Sequence, residues 1–485
     1  MHGIFLSTIL CHRDGSVVRS LGTHRIASHL RNNGYDIQVI DFIHLIPQED
    51  LHKFLNKFIT PETKFIGLGF MADYRHPRLQ SYVPRIVDLF KNLKDRYPNI
   101  KFIVGGSTSF IWSKRFANRL LFDYVIKGYG ENQTLALFDH YYKGTPHPGF
   151  ELADGNKHLP EHLTPNTFDF ARSSHQWHKR DCIQPGEALS IEFARGCIFK
   201  CAFCRYPHIG KSKNDFTKHI DCIREELIYN YENFGTTRYT VTDDTFNADS
   251  DFVEAFTNMS KSLPFKLEYS TFLRADLLHA HPEQEDMFLE NGLVGTFFGI
   301  ESFQEDNAKM IGKPWSSKHG KEYLPYIYHD KWKTKINVTA GLIAGLPYET
   351  FEDYKKINEW FIENKMPSWM WHPLHIHHPN DGNYYKSDFD LNAEKYGFKF
   401  KIVEGQPIWY NDKCDQLMVY DWVDELVNDI KPFSGPPWWF LIEYSTYGLD
   451  PTTVGKSKWH EIDFNHINEE CKRFMIGYCK ALGAL

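Results

Sequence analysis

The 485-residue sequence contains no apolar run approaching the roughly 20 residues that a bilayer-spanning helix needs, which argues against a helical membrane protein. It has no low-complexity tract and no repeat of fixed period, so a solenoid or a linker-like chain is excluded. An excess of positive charge is also missing. Lys and Arg number 55 against 62 Asp and Glu, a net charge of −7, which is not the footprint of a general nucleic-acid binder. Cysteine is sparse, with nine in all, and six of them (Cys11, Cys182, Cys222, Cys414, Cys471 and Cys479) show no paired spacing. These six read as reduced thiols, which excludes a disulfide scaffold and leads us to expect a cytoplasmic protein. Met1 to Leu6 enters a short apolar segment without a basic region or a small-residue cleavage site, so no secretory leader is expected. Aromatics are abundant at 16%, with 12 Trp, consistent with a large core, a wide substrate cavity, or both. The length suffices for two or three domains.

The remaining three cysteines carry the chemistry. Cys197, Cys201 and Cys204 form a CxxxCxxC pattern in Arg195-Gly196-Cys197-Ile198-Phe199-Lys200-Cys201-Ala202-Phe203-Cys204. Three thiolates on one short loop can ligate three irons of a [4Fe-4S] cubane and leave the fourth iron open. Leu189 to Phe193 reads as a strand, so the loop leaves a strand's carboxyl end, where α/β folds bind ligands. Gly196 permits a sharp turn into the first cysteine. The competing readings are a zinc knuckle that recruits Cys222 or His208 as fourth ligand, and a disulfide with a spare thiol. Zinc ribbons usually pair two such knuckles, and only one is present here.

Residues 1–145 alternate strand and helix patterns. Apolar strands are expected at Gly3–Ile9, Asp36–Asp41, Phe65–Phe70, Lys101–Val104 and Phe122–Lys127, with helices at Ser20–Asn33, Tyr82–Arg96 and Gln133–Tyr142. That order predicts a parallel, doubly wound Rossmann-like α/β domain. Residues 146–185 are rich in His, Pro and polar types and read as a linker. Residues 186–375 hold a second series of six strands, beginning with the cysteine-bearing one, whose polar residues gather at strand ends as in a (β/α) barrel. Residues 376–485 break the pattern and are aromatic and acidic, with 11 Lys and Arg against 17 Asp and Glu. We expect them to form a C-terminal domain covering the active site.

The cysteine motif and its ordered companions resemble the radical S-adenosylmethionine (SAM) superfamily, in particular its subgroup with a cobalamin-binding domain ahead of the barrel. The resemblance implies a partial (β/α)6 TIM-like barrel in which the open iron chelates SAM. Reductive cleavage there gives a 5′-deoxyadenosyl radical. It also implies SAM contacts at Phe203, at Asp243 and Asp244 after the second barrel strand, at Glu301 and Ser302 after the fourth, and at Gly341 and Gly345 along the fifth. Arg274 is expected to pair with the SAM carboxylate or with Glu301. An arginine that relatives place after the fourth strand is replaced here by Lys309-Met310-Ile311-Gly312-Lys313. In the N-terminal domain the resemblance implies cobalamin contacts at Gly105, Gly106, Ser107 and Thr108, and at Gly128, Gly130 and Glu131. The DxHxxG motif that gives a histidine to cobalt is absent; Asp50-Leu51-His52 is its nearest match, with Leu55 in place of glycine. His372, His375, His377 and His378 crowd the end of the last strand, and His375 and His377 share a face.

The implied function is cobalamin-dependent methyl transfer to an unactivated carbon or phosphorus of a small molecule or peptide. A flavodoxin- or ferredoxin-like protein would supply the electrons. The alternatives are a radical SAM oxidoreductase or cyclase without functional cobalamin, and a non-catalytic protein with a structural metal cluster. The acidic C-terminal segment argues against transfer RNA as partner.

Overall fold

The computed structural model describes residues 1–10, 17–72, 79–106, 121–126, 129–148, 151–153, 156–158, 168–205, 217–313, 315, 317–379 and 386–485. Ser107, Thr108, Gly128 and His208 lie outside the described residues. The chain divides into two compact units. The first comprises Met1–Ser190, Tyr229–Thr236 and Asn465–Leu485, and the second Ile191–Ile228 and Thr237–Phe464.

The first unit is built on strands β1 (Gly3–Leu10), β2 (Ile37–Ile40), β3 (Phe65–Ala72), β4 (Lys101–Gly105), β5 (Tyr124–Val125), β6 (Glu151–Ala153) and β7 (Asn156–His158). Their order in the sheet is β2-β1-β3-β4-β5-β7-β6, parallel except for the β6–β7 hairpin. From β1 the chain winds first one way and then the other, so a topological switch point lies at the carboxyl ends of β1 and β3. The strands are apolar because helices cover a parallel sheet on both faces. Phe5, Val39, Phe65, Ile103 and Tyr124 pack with Leu30, Leu137 and Phe138 from the helices Leu21–Asn32 and Gly130–Lys143. The expected linker is partly structural: β6 and β7 extend the sheet, and Trp177 and Asp181 are fully buried. Short strands in a His- and Pro-rich segment have no apolar periodicity to reveal them. Asp50 and His52 lie within an amphipathic helix, Gln48–Phe58, that buries Leu51 and Leu55.

The second unit begins at the last residue of β8 (Leu189–Ile191) and contains β9 (Arg238–Val241), β10 (Glu268–Leu273), β11 (Leu293–Glu301), β12 (Asn337–Ala344) and β13 (Ser368–Pro373). They form a six-stranded sheet in strict chain order, β13-β12-β11-β10-β9-β8, with the register-resolved pairs parallel. One irregularity falls between Gly299 and Glu301 of β11, where the register with β12 shifts by one residue and Glu301 adopts φ +67°. A bulge re-aims the side chain that follows it.

Residues 376–485, expected as one domain, are shared between the two units, with the helix Phe464–Ala484 almost wholly in the first. The remainder belongs with the six-stranded sheet and acts at both of its ends. At the carboxyl end, Trp409 of the hairpin β14 (Lys399–Val403) and β15 (Gln406–Tyr410) donates to Leu374 O and packs on Gly345. At the amino end, Asn337 at the start of β12 donates to Gly455 O, and Gly435 N donates to Pro367 O.

Candidate active site

The site grows from the carboxyl end of β8. Asp243, beyond β9, takes the backbone N–H groups of Phe193 and Ala194 on one carboxylate oxygen, at 2.7 and 2.9 Å. This anchors the turn that delivers Arg195 and Gly196, the glycine at φ +75°, into the cysteine loop. Arg195 is tied back to Glu192 by two hydrogen bonds. Cys197 Sγ lies 3.2 Å from Thr245 Oγ1. Cys204 N donates to Cys201 O, closing a turn, and this turn is clamped from two sides: Ala202 N donates to Ile311 O, and Phe389 N donates to Ala202 O. Arg205 then forms a bidentate pair with buried Asp390, which also accepts from His377 N and Ser387 N. The cysteine loop is therefore held by β9, by the segment after β11 and by residues 387–390, none of them near it in sequence.

Charge gathers around Cys201. The Arg274 guanidinium stands 3.8 Å from its sulfur and 4.0 Å over the ring of Phe199, while two of its nitrogens bond Asp276. Asn247 fixes Arg274 by bonding both its backbone N–H and its carbonyl. Lys313 Nζ donates to Gly299 O and to Glu301 Oε1, each at 2.7 Å. A side chain at Gly299 would occupy the space of this ion pair. Burial pushes the Cys201 thiol up, and Lys313 and Arg274 oppose that shift.

The remaining expected site residues are placed as follows. Phe203 and Asp244 are half-buried, beside Cys204 and at the carboxyl end of β9. Asp243 is 1% exposed, and the oxygen that anchors the β8 turn is one of its two. Its carboxyl is pushed up to about 7, chiefly by burial, with the two N–H donors opposing. Ser302 is also buried and donates to Glu349, which accepts from Asn307 as well and is raised to about 7 by burial. Arg274 pairs with Asp276, not with Glu301, because the β11 bulge carries Glu301 to Lys313. A Cβ on Gly341 would stand 2.0 Å from the Phe297 ring, and Gly345 has φ +101° with Trp409 against it. Both glycines are thus required by packing within the unit.

In the first unit, the nearest atom among the described residues to a Cβ at Gly105 would be on Ile126, at 3.7 Å. Gly106 follows at φ +116°. Gly130, by contrast, is packed against Ile26, and Glu131 is buried in the first turn of its helix. Among the described residues no group of three or more His, Cys, Asp or Glu side chains converges to hold a single metal ion. A cubane takes its three thiolates on three different irons, so its ligands need not converge as a mononuclear zinc set must. The four histidines near the end of β13 likewise form no such group.

Thr245, Lys313, Glu349 and Asp390 are site residues that sequence reasoning passed over or read otherwise. Thr245 reads as a helix cap and Lys313 as a departure from an arginine pattern. Glu349 is the next-to-last residue of the Gly341-to-Thr350 stretch and carries no mark of burial in the sequence. Asp390 lies in a segment without strand or helix periodicity.

Residues 191–361 match the radical SAM superfamily. It resembles the hopanoid C-3 methylase of Methylococcus capsulatus, at 23% identity over 366 residues, which are 71% of this chain and 64% of that protein. The match thus spans less than two thirds of that relative. In fold it resembles the radical SAM methyltransferase TsrM from Kitasatospora setae, solved with cobalamin and a [4Fe-4S] cluster, at TM-score 0.67 and 13% identity over all of both chains. The cobalamin-dependent radical SAM enzyme OxsB, solved with aqua-cobalamin, matches at TM-score 0.58 and 16% identity over 81% of this chain and 56% of its own. Among the described residues no helix is long and apolar enough to cross a membrane.

Proposed function

We propose that the protein is a cobalamin-dependent radical SAM methyltransferase acting on an unactivated carbon or phosphorus of a small molecule or peptide. The observation that carries this reading is the clamped cysteine loop at the carboxyl end of β8, inside a radical SAM domain and beside Arg274, Lys313 and Glu301. When bound, the cluster, SAM and cobalamin supply the electron, the radical source and the methyl carrier.

The chain's own residues hold and orient these groups. Cys197, Cys201 and Cys204 bind three irons. Half-buried Asp244 accepts hydrogen bonds from the SAM ammonium, for which a carboxylate is suited. Glu301, steadied by Lys313, faces the ribose hydroxyls; Arg274 and Lys313 are the cations available for the SAM carboxylate. Phe203 packs near the adenine. In the first unit, the lack of a side chain at Gly105 and Gly106 suits close backbone approach to the cobalamin tail, and the switch point of the sheet is where such folds take ligands. Ser107, Thr108 and Gly128 complete the proposed cobalamin contacts, whereas Gly130 and Glu131 serve packing. Residues 386–420, reaching the cysteine loop through Asp390 and Gly345 through Trp409, limit water entry and help choose the substrate. A small flavodoxin- or ferredoxin-like protein is the electron donor.

Anaerobic reconstitution with iron, sulfide, SAM and hydroxocobalamin tests the reading. The wild type is expected to form 5′-deoxyadenosine under strong reductant and to retain about one cobalt per chain. Cys201→Ala is expected to lose nucleoside formation completely. Nucleoside formation without retained cobalt would favour a radical SAM oxidoreductase or cyclase without a corrin. A full cluster without nucleoside formation would overturn the reading.

A further inference from the structure

Thr245 is a buried hydroxyl set against a cluster ligand. Its Oγ1 lies 3.2 Å from Cys197 Sγ and 2.7 Å from the carbonyl oxygen of Asp244. The position is rigid. The next residue, Phe246, is buried among Phe193, Phe256 and Tyr269, and Asn247 is bonded to both backbone groups of Arg274. Thr245 is β-branched, which restricts its χ1 further. The hydroxyl has one proton and two acceptors within reach. While Cys197 is a thiol, the S–H can donate to Oγ1 and the hydroxyl donates to Asp244 O. A metal-bound thiolate has no proton to give, so rotation of the O–H, with no heavy atom moving, points the hydrogen at the sulfur.

Resting on the cluster assignment above, we propose that Thr245 is a positioning residue that raises the cluster's reduction potential through a hydrogen bond to Cys197 Sγ. One electron enters the cluster from a chemical reductant or donor protein, and no proton is transferred. The added negative charge strengthens an O–H···S bond more in the reduced than in the oxidised state, and hydrogen bonds to cluster sulfurs are a recognised determinant of potential. The neighbouring Arg274 Nη1 stands at a longer 3.8 Å from a different sulfur, that of Cys201, so Thr245 is the closer donor and the one set against Cys197.

The test uses the full chain, reconstituted anaerobically without SAM or cobalamin, with the cluster followed by electron paramagnetic resonance during a redox titration. Thr245→Val removes the hydroxyl and keeps the branched shape; Thr245→Ser keeps the hydroxyl. At a fixed applied potential Thr245→Val is expected to show about a tenfold lower ratio of reduced to oxidised cluster, equal to a shift of about 59 mV for one electron, while Thr245→Ser stays near the wild type. Equal potentials in all three proteins at full iron content would overturn the proposal. Should Thr245→Val fail to assemble the cluster, the wild type decides. Its reduced cluster is expected to couple to a solvent-exchangeable proton that deuterium oxide removes, and absence of that coupling overturns the proposal. A wild type that takes up no cluster would instead defeat the cluster assignment itself.

Discussion

Asp243 shows how burial redirects a residue. Two adjacent aspartates after β9 are equivalent in sequence, yet one is sealed beneath the cysteine loop and the other half-buried at the strand end. The sealed carboxyl, raised from 3.8 to about 7, holds its proton more tightly folded than unfolded. Between those values the native state carries more protons than the unfolded one, so stability falls as pH rises through the window. Its full extent is of order 4 kcal/mol. Asp243→Asn keeps an oxygen for the Phe193 and Ala194 N–H groups and cannot ionise. Urea unfolding of the full chain at pH 4.5 and 7.5 is expected to show a falling contribution in the wild type that the variant lacks. The pairing of Lys313 with Glu301 was hidden in the sequence for a different reason: it depends on a one-residue bulge that no local pattern announces.

Elements were legible where periodicity was strong. The parallel strands and the helices between them follow from apolar runs bounded by turn residues, because each must bury a face. The hairpins β6–β7 and β14–β15 were not, since short strands at an edge alternate weakly. Close approach between elements is likewise invisible along the chain. Gly69 of β3 is a case: a Cβ there would lie 1.9 Å from Thr23 Oγ1 on the covering helix. Gly69→Ala is expected to destabilise the protein by about 1–3 kcal/mol. Because Thr23 is the atom's obstacle, the Thr23→Ala, Gly69→Ala double variant should recover part of that loss, as read from thermal unfolding of each full-length variant. Independent, additive losses would show that the helix gives way elsewhere.

At the scale of a whole unit, the first is locked by a buried network that no motif predicts. Arg19 bonds Asp41 and Glu187, His24 lies between Asp41 and Asp181, Arg31 pairs with Asp181, and Tyr478 from the last helix accepts from Asp41 N. Three cations balance three carboxylates only when His24 is protonated. Burial acts to lower the His24 pKa, but Asp41 and Asp181 outweigh it and the net shift is upward. Asp41 and Asp181 shift downward, since His24 and the arginines outweigh their own burial. The histidine's contribution is complete below its ordinary 6.5 and is lost as pH rises through the raised value. The carboxylates' contribution is present above 3.8 and is lost as pH falls through their lowered values. Hydrogen exchange across residues 21–41 should therefore be slowest between pH 4 and 6.5 after correction for intrinsic rates. Asp41→Asn leaves buried cations uncompensated and is expected to cost about 3–5 kcal/mol. A flat pH profile of protection in the wild type would contradict the charge balance.

By itself the sequence determined the CxxxCxxC spacing, the two successive βα series and the lack of an apolar run long enough to span a bilayer. Those features are local: spacing along one loop, periodicity within one element, hydropathy within one window. Tertiary structure alone decided which aspartate is buried, which cation meets Glu301, what clamps the cysteine loop, and that residues 376–485 are divided between two units. Each of these depends on groups far apart in the chain arriving at one place, where desolvation and close packing set their charge and their partners.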